Sequence, residues 1–297
     1  MPAMKLLVTG NCQARPLMNL MCGTGLFEPL DPIILHLADP GHSKKYEESL
    51  QEADLIVAQK TDPKFRVKVL SSENINELYS GKTVIWPNIF FSGQQPFLRY
   101  FTHRVQGRLL GPFDASHDLR IFGDWLSARK GMAGLIPRDS GDYIAAVRRL
   151  SLDSLRRREE GCGVIVSDLI EANPSVPLFF TFNHPSRFLL AKAAERLLAR
   201  LSIEGAVVTE GDGEPLAAYR VPSTWMTDDL GDRYRGRAVV LKPGGGVDLG
   251  AFREFDADEL RAEFFRCYDH QAAVLDPSDI RVTPSYPGFD LDGPMSR

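Results

Sequence analysis

Met4-Lys5-Leu6-Leu7-Val8-Thr9-Gly10-Asn11-Cys12-Gln13 is an apolar run that stops at glycine, turns through two amides and a cysteine, and passes into helix-compatible sequence from Ala14 to Met21. A buried strand that ends this way leaves its next side chain at the carboxyl edge of a sheet, where open α/β sheets take their ligands. Cys12 then falls beside the first turn of a helix, whose unpaired N–H groups and positive dipole end favour a thiolate. The stretch therefore predicts a reactive or ligand-contacting thiol. Cys22, Cys162 and Cys267 lie in or beside apolar segments and read as small packing hydrophobes.

Working outward, Pro32 to Leu37, Asp54 to Ala58 and Thr83 to Trp86 read as further strands. Helices are expected at Ser43 to Gln51, with Ser43 as cap, and at Phe65 to Tyr79. Strands alternating with helices predict βαβ units and a helix-rich α/β fold with a parallel, Rossmann-like sheet. From Asn88 to Gly111 the chain turns aromatic and basic. Helices follow at His117 to Lys130, Asp142 to Glu160 and Gly163 to Glu171. Pro177 to Phe182 reads as a strand, leading through Asn183-His184-Pro185-Ser186 into a helix from Arg187 to Leu201. This repeats the layout around Cys12. If the strand joins the same sheet, His184 emerges on the same edge. Short strands are expected at Leu216 to Val221 and Ala238 to Leu241, a helix at Asp256 to Val274, and a loose tail after it. The expected division is a βαβ module over 1–110, a helix-rich portion over 111–275 and a tail over 276–297.

The 297 residues are 43% hydrophobic and 25% charged, ordinary for a soluble globular chain with a substantial core. A net charge of −4 argues against a dedicated nucleic-acid binder. No run approaches the ~18 apolar residues of a membrane span, and the first residues lack a signal-peptide pattern. Four irregularly spaced cysteines form neither a zinc motif nor a disulfide framework, so no metal is expected and a reduced, cytoplasmic setting is. Neither GxGxxG after the first strand nor a Walker loop is present.

A cysteine nucleophile needs a base within reach and donors for a developing oxyanion. His184 is the best-placed base of six histidines. Asp118 and Asp124 are both open as an acid to orient it. Asn11, Gln13, Asn88 and Asn183 offer side-chain amides at strand ends, and His103 lies in the aromatic and basic segment. Arg15, Lys60, Arg99, Arg104 and Arg108 are candidate phosphate contacts, since arginine grips phosphate oxygens with two N–H groups.

Three segments together carry a resemblance: Gly10-Asn11-Cys12-Gln13, then Trp86-Pro87-Asn88-Ile89-Phe90-Phe91-Ser92-Gly93, then Phe179-Phe180-Thr181-Phe182-Asn183-His184-Pro185. In this order the chain resembles the WcbI-type family of bacterial capsular polysaccharide biosynthesis proteins, from about Met4 to the helix ending near Val274. The resemblance implies an α/β fold related to two-lobed glycosyltransferases, binding of coenzyme A or acetyl-CoA, and acyl transfer to a sugar hydroxyl. The family's middle motif often continues with glycine, an aromatic, histidine and proline. Gly93-Gln94-Gln95-Pro96 has no histidine, which moves weight onto His103 and His184. The leading expectation is a CoA-dependent O-acyltransferase acting on a saccharide acceptor, with CoA lying across the aromatic and basic segment and its pantetheine arm toward Cys12. Cys12 carries the acyl group as a thioester, or His184 deprotonates the acceptor for direct attack; the sequence leaves both open. The alternatives are a nucleotide-sugar glycosyltransferase and a non-catalytic CoA- or glycan-binding subunit. Peripheral association with capsule machinery fits any of the three. Oligomeric state is not legible.

Overall fold

The computed structural model describes residues 3–132, 141–203, 213–223, 233–273 and 275–286. In chain order the elements begin β1 (Met4–Gly10), α1 (Ala14–Cys22), β2 (Phe27–Pro29), β3 (Ile33–Ile34), α2 (Ser43–Glu52), β4 (Leu55–Gln59), α3 (Ser72–Leu78) and β5 (Thr83–Trp86). There follow β6 (Leu98–His103), β7 (Gly107–Arg108), β8 (Ser116–Asp118), α4 (Leu119–Lys130), α5 (Gly141–Glu159), α6 (Ser167–Ala172), β9 (Phe179–Thr181), β10 (His184–Pro185) and α7 (Arg187–Arg200). The chain closes with β11 (Tyr234–Leu241), β12 (Val247–Phe255), α8 (Ala257–Gln271) and β13 (Ile280–Thr283).

Two compact units result, each assembled from separate stretches of chain. The first takes residues 1–90, 152–179 and 183–217; the second takes 91–151, 180–182 and 218–297. This interleaving differs from a division into successive blocks at 110 and 275.

The first unit is built on a parallel sheet in the order β2-β1-β4-β5, with β3 also on β1. The strand expected over Pro32 to Leu37 shrinks to β3, and β2 before it was not expected. β2 pairs with the start of β1, from Met4 opposite Phe27, and β3 with its end, where Gly10 lies opposite Ile34. Leu35 to Leu37 coils into a 3-10 turn instead of extending the strand. Parallel strands buried on both faces read as continuous apolar runs, and Leu55-Ile56-Val57-Ala58-Gln59 is buried throughout. On one face Leu7, Ile56 and Ala58 pack with Leu50 of α2 and Ile75 of α3. Elsewhere α1 lies against β1, β2 and α7. Two starts are corrected. Residues 65–71 hold only a 3-10 turn at Lys68–Leu70; α3 begins at Ser72, with Ser71 accepting the Asn74 N–H. Ser43 does not cap α2; its hydroxyl donates to the Pro40 carbonyl at 2.7 Å.

The second unit holds an antiparallel sheet in the order β13-β6-β7, with β8 also on β6, and a β11–β12 hairpin. α4 and α8 pack together around a buried aromatic cluster: Phe122, Trp125, Phe264 and Tyr268, with His117 stacked on Phe101 at 4.6 Å between ring centres. Of the helix stripe Leu260, Phe264, Phe265 and Tyr268, expected as core, Phe265 is only half-buried and the other three are buried. β13 corrects the expectation of a loose tail, because Ile280–Thr283 pairs with β6 from His103 to Tyr100. Residues 287–297 of that tail, and Val274, lie outside the described residues. The segment at 216–221 forms no strand, only a single bridge between Arg220 and Arg235.

Candidate active site at the first strand's carboxyl edge

Gly10 ends β1 because nothing larger fits. A Cβ there would sit 2.9 Å from the Trp86 ring, 3.3 Å from Ala14 and 3.4 Å from Gln59. Asn11 then reverses the chain: its side-chain oxygen accepts the Gln13 backbone N–H at 3.0 Å, and its carbonyl accepts the Ala14 N–H at 3.0 Å. Its own backbone N–H donates to Gln59 Oε1 at 3.0 Å. Its Nδ2 donates to Asn88 Oδ1 at 3.1 Å.

Gln13 is fully buried and ties three segments together. Nε2 donates to the Ile89 carbonyl at 2.6 Å and to the Asn183 carbonyl at 2.8 Å, while Oε1 accepts the Ile89 N–H at 3.2 Å. The turn after β1, the segment after β5 and the segment before α7 therefore converge, though Asn183 and Gln13 are 170 positions apart. They converge by a different route from the one the sequence suggested. β9 is not a strand of the parallel sheet; among the described residues it pairs only with β10. It is the Gln13 amide that brings the third motif to the first.

Cys12 and His184 are the chain neighbours of the two bonded residues, Gln13 and Asn183. Both are half-buried, as are Asn11, Asn88 and Asn183. Burial pushes the Cys12 thiol up to about 11, outweighing the lowering from its own backbone N–H. This corrects the expectation of a thiolate: at neutral pH the group is a thiol. Burial also drives His184 down to about 4, so its imidazole is neutral and able to take a proton. The pair stands as thiol and free base.

The remaining expected contacts divide between local ties and distant duties. Gln13 is spent on backbone groups and acts as a clamp, not a ligand donor. Arg15 lies on the exposed side of α1, 3.1 Å from Asp31. Lys60 donates to the Glu160 carbonyl at 2.5 Å. Arg99, His103 and Arg104 belong to the second unit and have structural work within it. Arg99 is fully buried, donating to the Leu98 carbonyl at 2.8 Å and to the Tyr143 hydroxyl at 3.1 Å, with Tyr286 stacked on it. His103 Nδ1 accepts the backbone N–H groups of Val105 and Gln106 at 3.2 and 3.1 Å, closing the β6–β7 turn. Arg104 pairs with Asp279 and Arg108 with Asp114, both at the surface. Neither acid singled out is free: Asp118 caps α4 and pairs with Arg120 at 2.7 Å, and Asp124 pairs with Arg261 at 3.4 Å.

Two residues escaped the sequence reading. Gln59 ends the buried run of β4 and grips the Asn11 N–H; a lone polar residue closing Leu-Ile-Val-Ala was the available signal. Glu214 accepts the Arg187 N–H at 2.6 Å at the start of α7, three residues past His184, and burial raises its carboxyl. Its place in a Gly- and Pro-rich stretch gave no hint of that contact.

The family model described as polysaccharide biosynthesis enzyme WcbI matches residues 5–206, the span that contains all three motifs. No curated protein matches the chain. Among solved structures, one described as WcbI, a novel polysaccharide biosynthesis enzyme, superposes with a TM-score of 0.63 at 16% identity. The match covers 92% of this chain and 91% of that one. That structure is described as the native form without a disulfide bond between coenzyme A and one of its cysteines. At such low identity the likeness bears on the fold, and it agrees with an α/β chain built on a parallel sheet. The family assignment rests on the family model, which spans the clamp residues as well as Cys12 and His184: the chain belongs to the WcbI family of polysaccharide biosynthesis enzymes.

Proposed function

We propose that the chain is a CoA-dependent O-acyltransferase, most simply an acetyltransferase, that acylates a sugar hydroxyl during assembly of a surface polysaccharide. The observation that carries this reading is the Gln13 clamp. By binding Ile89 and the Asn183 carbonyl it holds the cysteine turn and the histidine segment at one place. The naming of coenzyme A together with a cysteine in the WcbI structure supports a CoA thiol beside such a turn. Acetyl-CoA supplies the activated acyl group.

The protonation states favour direct transfer. A neutral imidazole is the form a general base needs, and a buried thiol near 11 is a poor nucleophile at neutral pH. His184 takes the proton of the acceptor hydroxyl as its oxygen attacks the thioester carbonyl. The carbon–sulfur bond then breaks, and the proton passes from His184 to the departing sulfur. Cys12 lines the thioester position. Half-buried Asn11 and Asn88, fixed against each other, stand at the same edge as candidate neighbours of the carbonyl oxygen.

Calorimetric titration of CoA and acetyl-CoA, with UDP- and GDP-sugars as comparison, tests the reading. Saturable heat with the CoA compounds and none with nucleotide-sugars is expected. The reverse selectivity would replace acyl transfer by glycosyl transfer. Intact-mass measurement after brief exposure to acetyl-CoA separates the two routes. No acetyl adduct on Cys12 is expected, and an adduct that chases onto an acceptor would establish the thioester route instead.

A further inference from the structure

A cavity of about 320 Å3 opens on the first unit and shares no residue with the Gln13 cluster. Its walls are Asn76 of α3, Thr83 and Val84 of β5, Cys162 and Gly163 of the α5–α6 connection, and Arg200 at the end of α7. β5 is the edge of the parallel sheet. Its Trp86 carbonyl faces β4, accepting the Lys60 N–H at 2.8 Å, so the peptide groups of Ile85 and Thr83 face the open side. Of these the Ile85 carbonyl is taken by the Gly163 N–H at 2.7 Å. Glycine is needed there, because a Cβ at 163 would lie 2.7 Å from Val84 Cγ1 and 3.4 Å from the Ile85 carbonyl. The connection is thereby seated on the strand edge and forms a fixed wall.

The charges on this wall point to an anion. The Arg200 side chain makes no hydrogen bond or ion pair among the described residues, and neither does the Asn76 side chain. Nearby arginines are committed: Arg196 to Asp168 at 2.6 Å and Arg156 to Glu171 at 2.6 Å. Lys60 adds positive potential at Cys162. Glu159, the acid that acts on Cys162, is turned onto the Val166 and Ser167 N–H groups and the Ser167 hydroxyl. We propose that this cavity binds a small organic anion, with Arg200 gripping its carboxylate or phosphate and Asn76 and the β5 edge bonding its other polar groups. The volume lies at the low end for ligand pockets, of monosaccharide size. This inference does not depend on the acyl-transfer reading.

Cys162 gives the test its reporter. The full-length protein is labelled with N-ethylmaleimide at mildly alkaline pH, and modification of Cys162 is followed by mass spectrometry. Probes are inorganic phosphate, glucose 1-phosphate, glucuronate and neutral glucose, with Cys12 as internal comparison. Saturable slowing at Cys162 of at least about fivefold by an anionic sugar, but not by glucose, is expected. The protection should vanish in Arg200→Gln, an exposed substitution whose thermal melt should match wild type. The phosphate and carboxylate arms decide which head group is taken. No saturable protection by any anion, equal protection by glucose, or protection that survives Arg200→Gln would overturn the proposal. Failure of CoA binding at Cys12 would leave each of these outcomes readable.

Discussion

Gln13 accounts for more of the site than any other single side chain. Its amide, fully buried, satisfies both hydrogen-bonding groups of Ile89 and the Asn183 carbonyl. Removing one partner of such bonds strands buried polar groups at ~1–3 kcal/mol each. Gln13→Leu, nearly the same volume, should lower unfolding free energy in urea by about 3 kcal/mol, and a loss below about 0.5 kcal/mol would show that the clamp holds nothing. His184 carries a separate expectation. With its conjugate acid near 4, the free base is present throughout the neutral range. The acid limb of kcat/KM should therefore fall near pH 4 to 5, not at the ordinary histidine value of 6.5. A limb at 6.5 would mean that the ring is hydrated in the working enzyme.

At the scale of elements, the helix starts at Asp256 and Ser186 were legible, the cap read at Ser43 was not borne out, and strand pairing was hidden. Asp256 reads as a helix start, and it forms a full capping box with Glu259: each accepts the other's backbone N–H, at 2.8 and 3.0 Å. Asp256→Ala should cost about 1 kcal/mol by thermal or urea melting, and no change would mean that the end of α8 is held by packing alone. Ser186 likewise begins α7, its hydroxyl accepting the Leu189 N–H. β1, β4 and β5 were readable because strands buried on both faces are unbroken apolar runs. β2 was hidden, since local sequence does not record that Phe27 to Pro29 pairs with the start of β1. β13 was missed for the same reason. Its partner β6 is about 180 residues earlier, and such pairing leaves no local trace.

Across the whole molecule, two histidines whose rings are desolvated by burial couple the fold to pH. His117 is fully enclosed, bonded to the Tyr268 hydroxyl at 2.9 Å and the Leu109 carbonyl at 3.1 Å, and burial holds it near 4, as with His184. On unfolding each regains its ordinary value of 6.5 and takes up a proton below it. Stability is therefore complete above about pH 6.5, falls as pH drops toward 4, and levels off below that as far as these groups are concerned. Urea melts at pH 7.5, 6 and 5 should show this loss, and His117→Gln should flatten its slope. A slope unchanged in that variant would assign the loss to other groups. The first unit's site was legible in the parts of the three motifs that it holds: Gly10 to Gln13, Trp86 to Phe90, and Asn183 to Pro185. The basic and aromatic segment misled because Arg99 and His103, polar in sequence, are consumed inside the second unit by carbonyls, a tyrosine hydroxyl and backbone N–H groups.

The central claim is that His184 works as a base at a CoA-binding turn. Release of CoA from acetyl-CoA, followed with a thiol reagent in the presence of capsular oligosaccharide, addresses it most directly when paired with calorimetric CoA affinity. His184→Ala should cut turnover at least about 100-fold while leaving CoA affinity within about threefold, since a positioned base contributes ~10²–10⁴ in rate. Turnover at the wild-type level in His184→Ala would contradict the account.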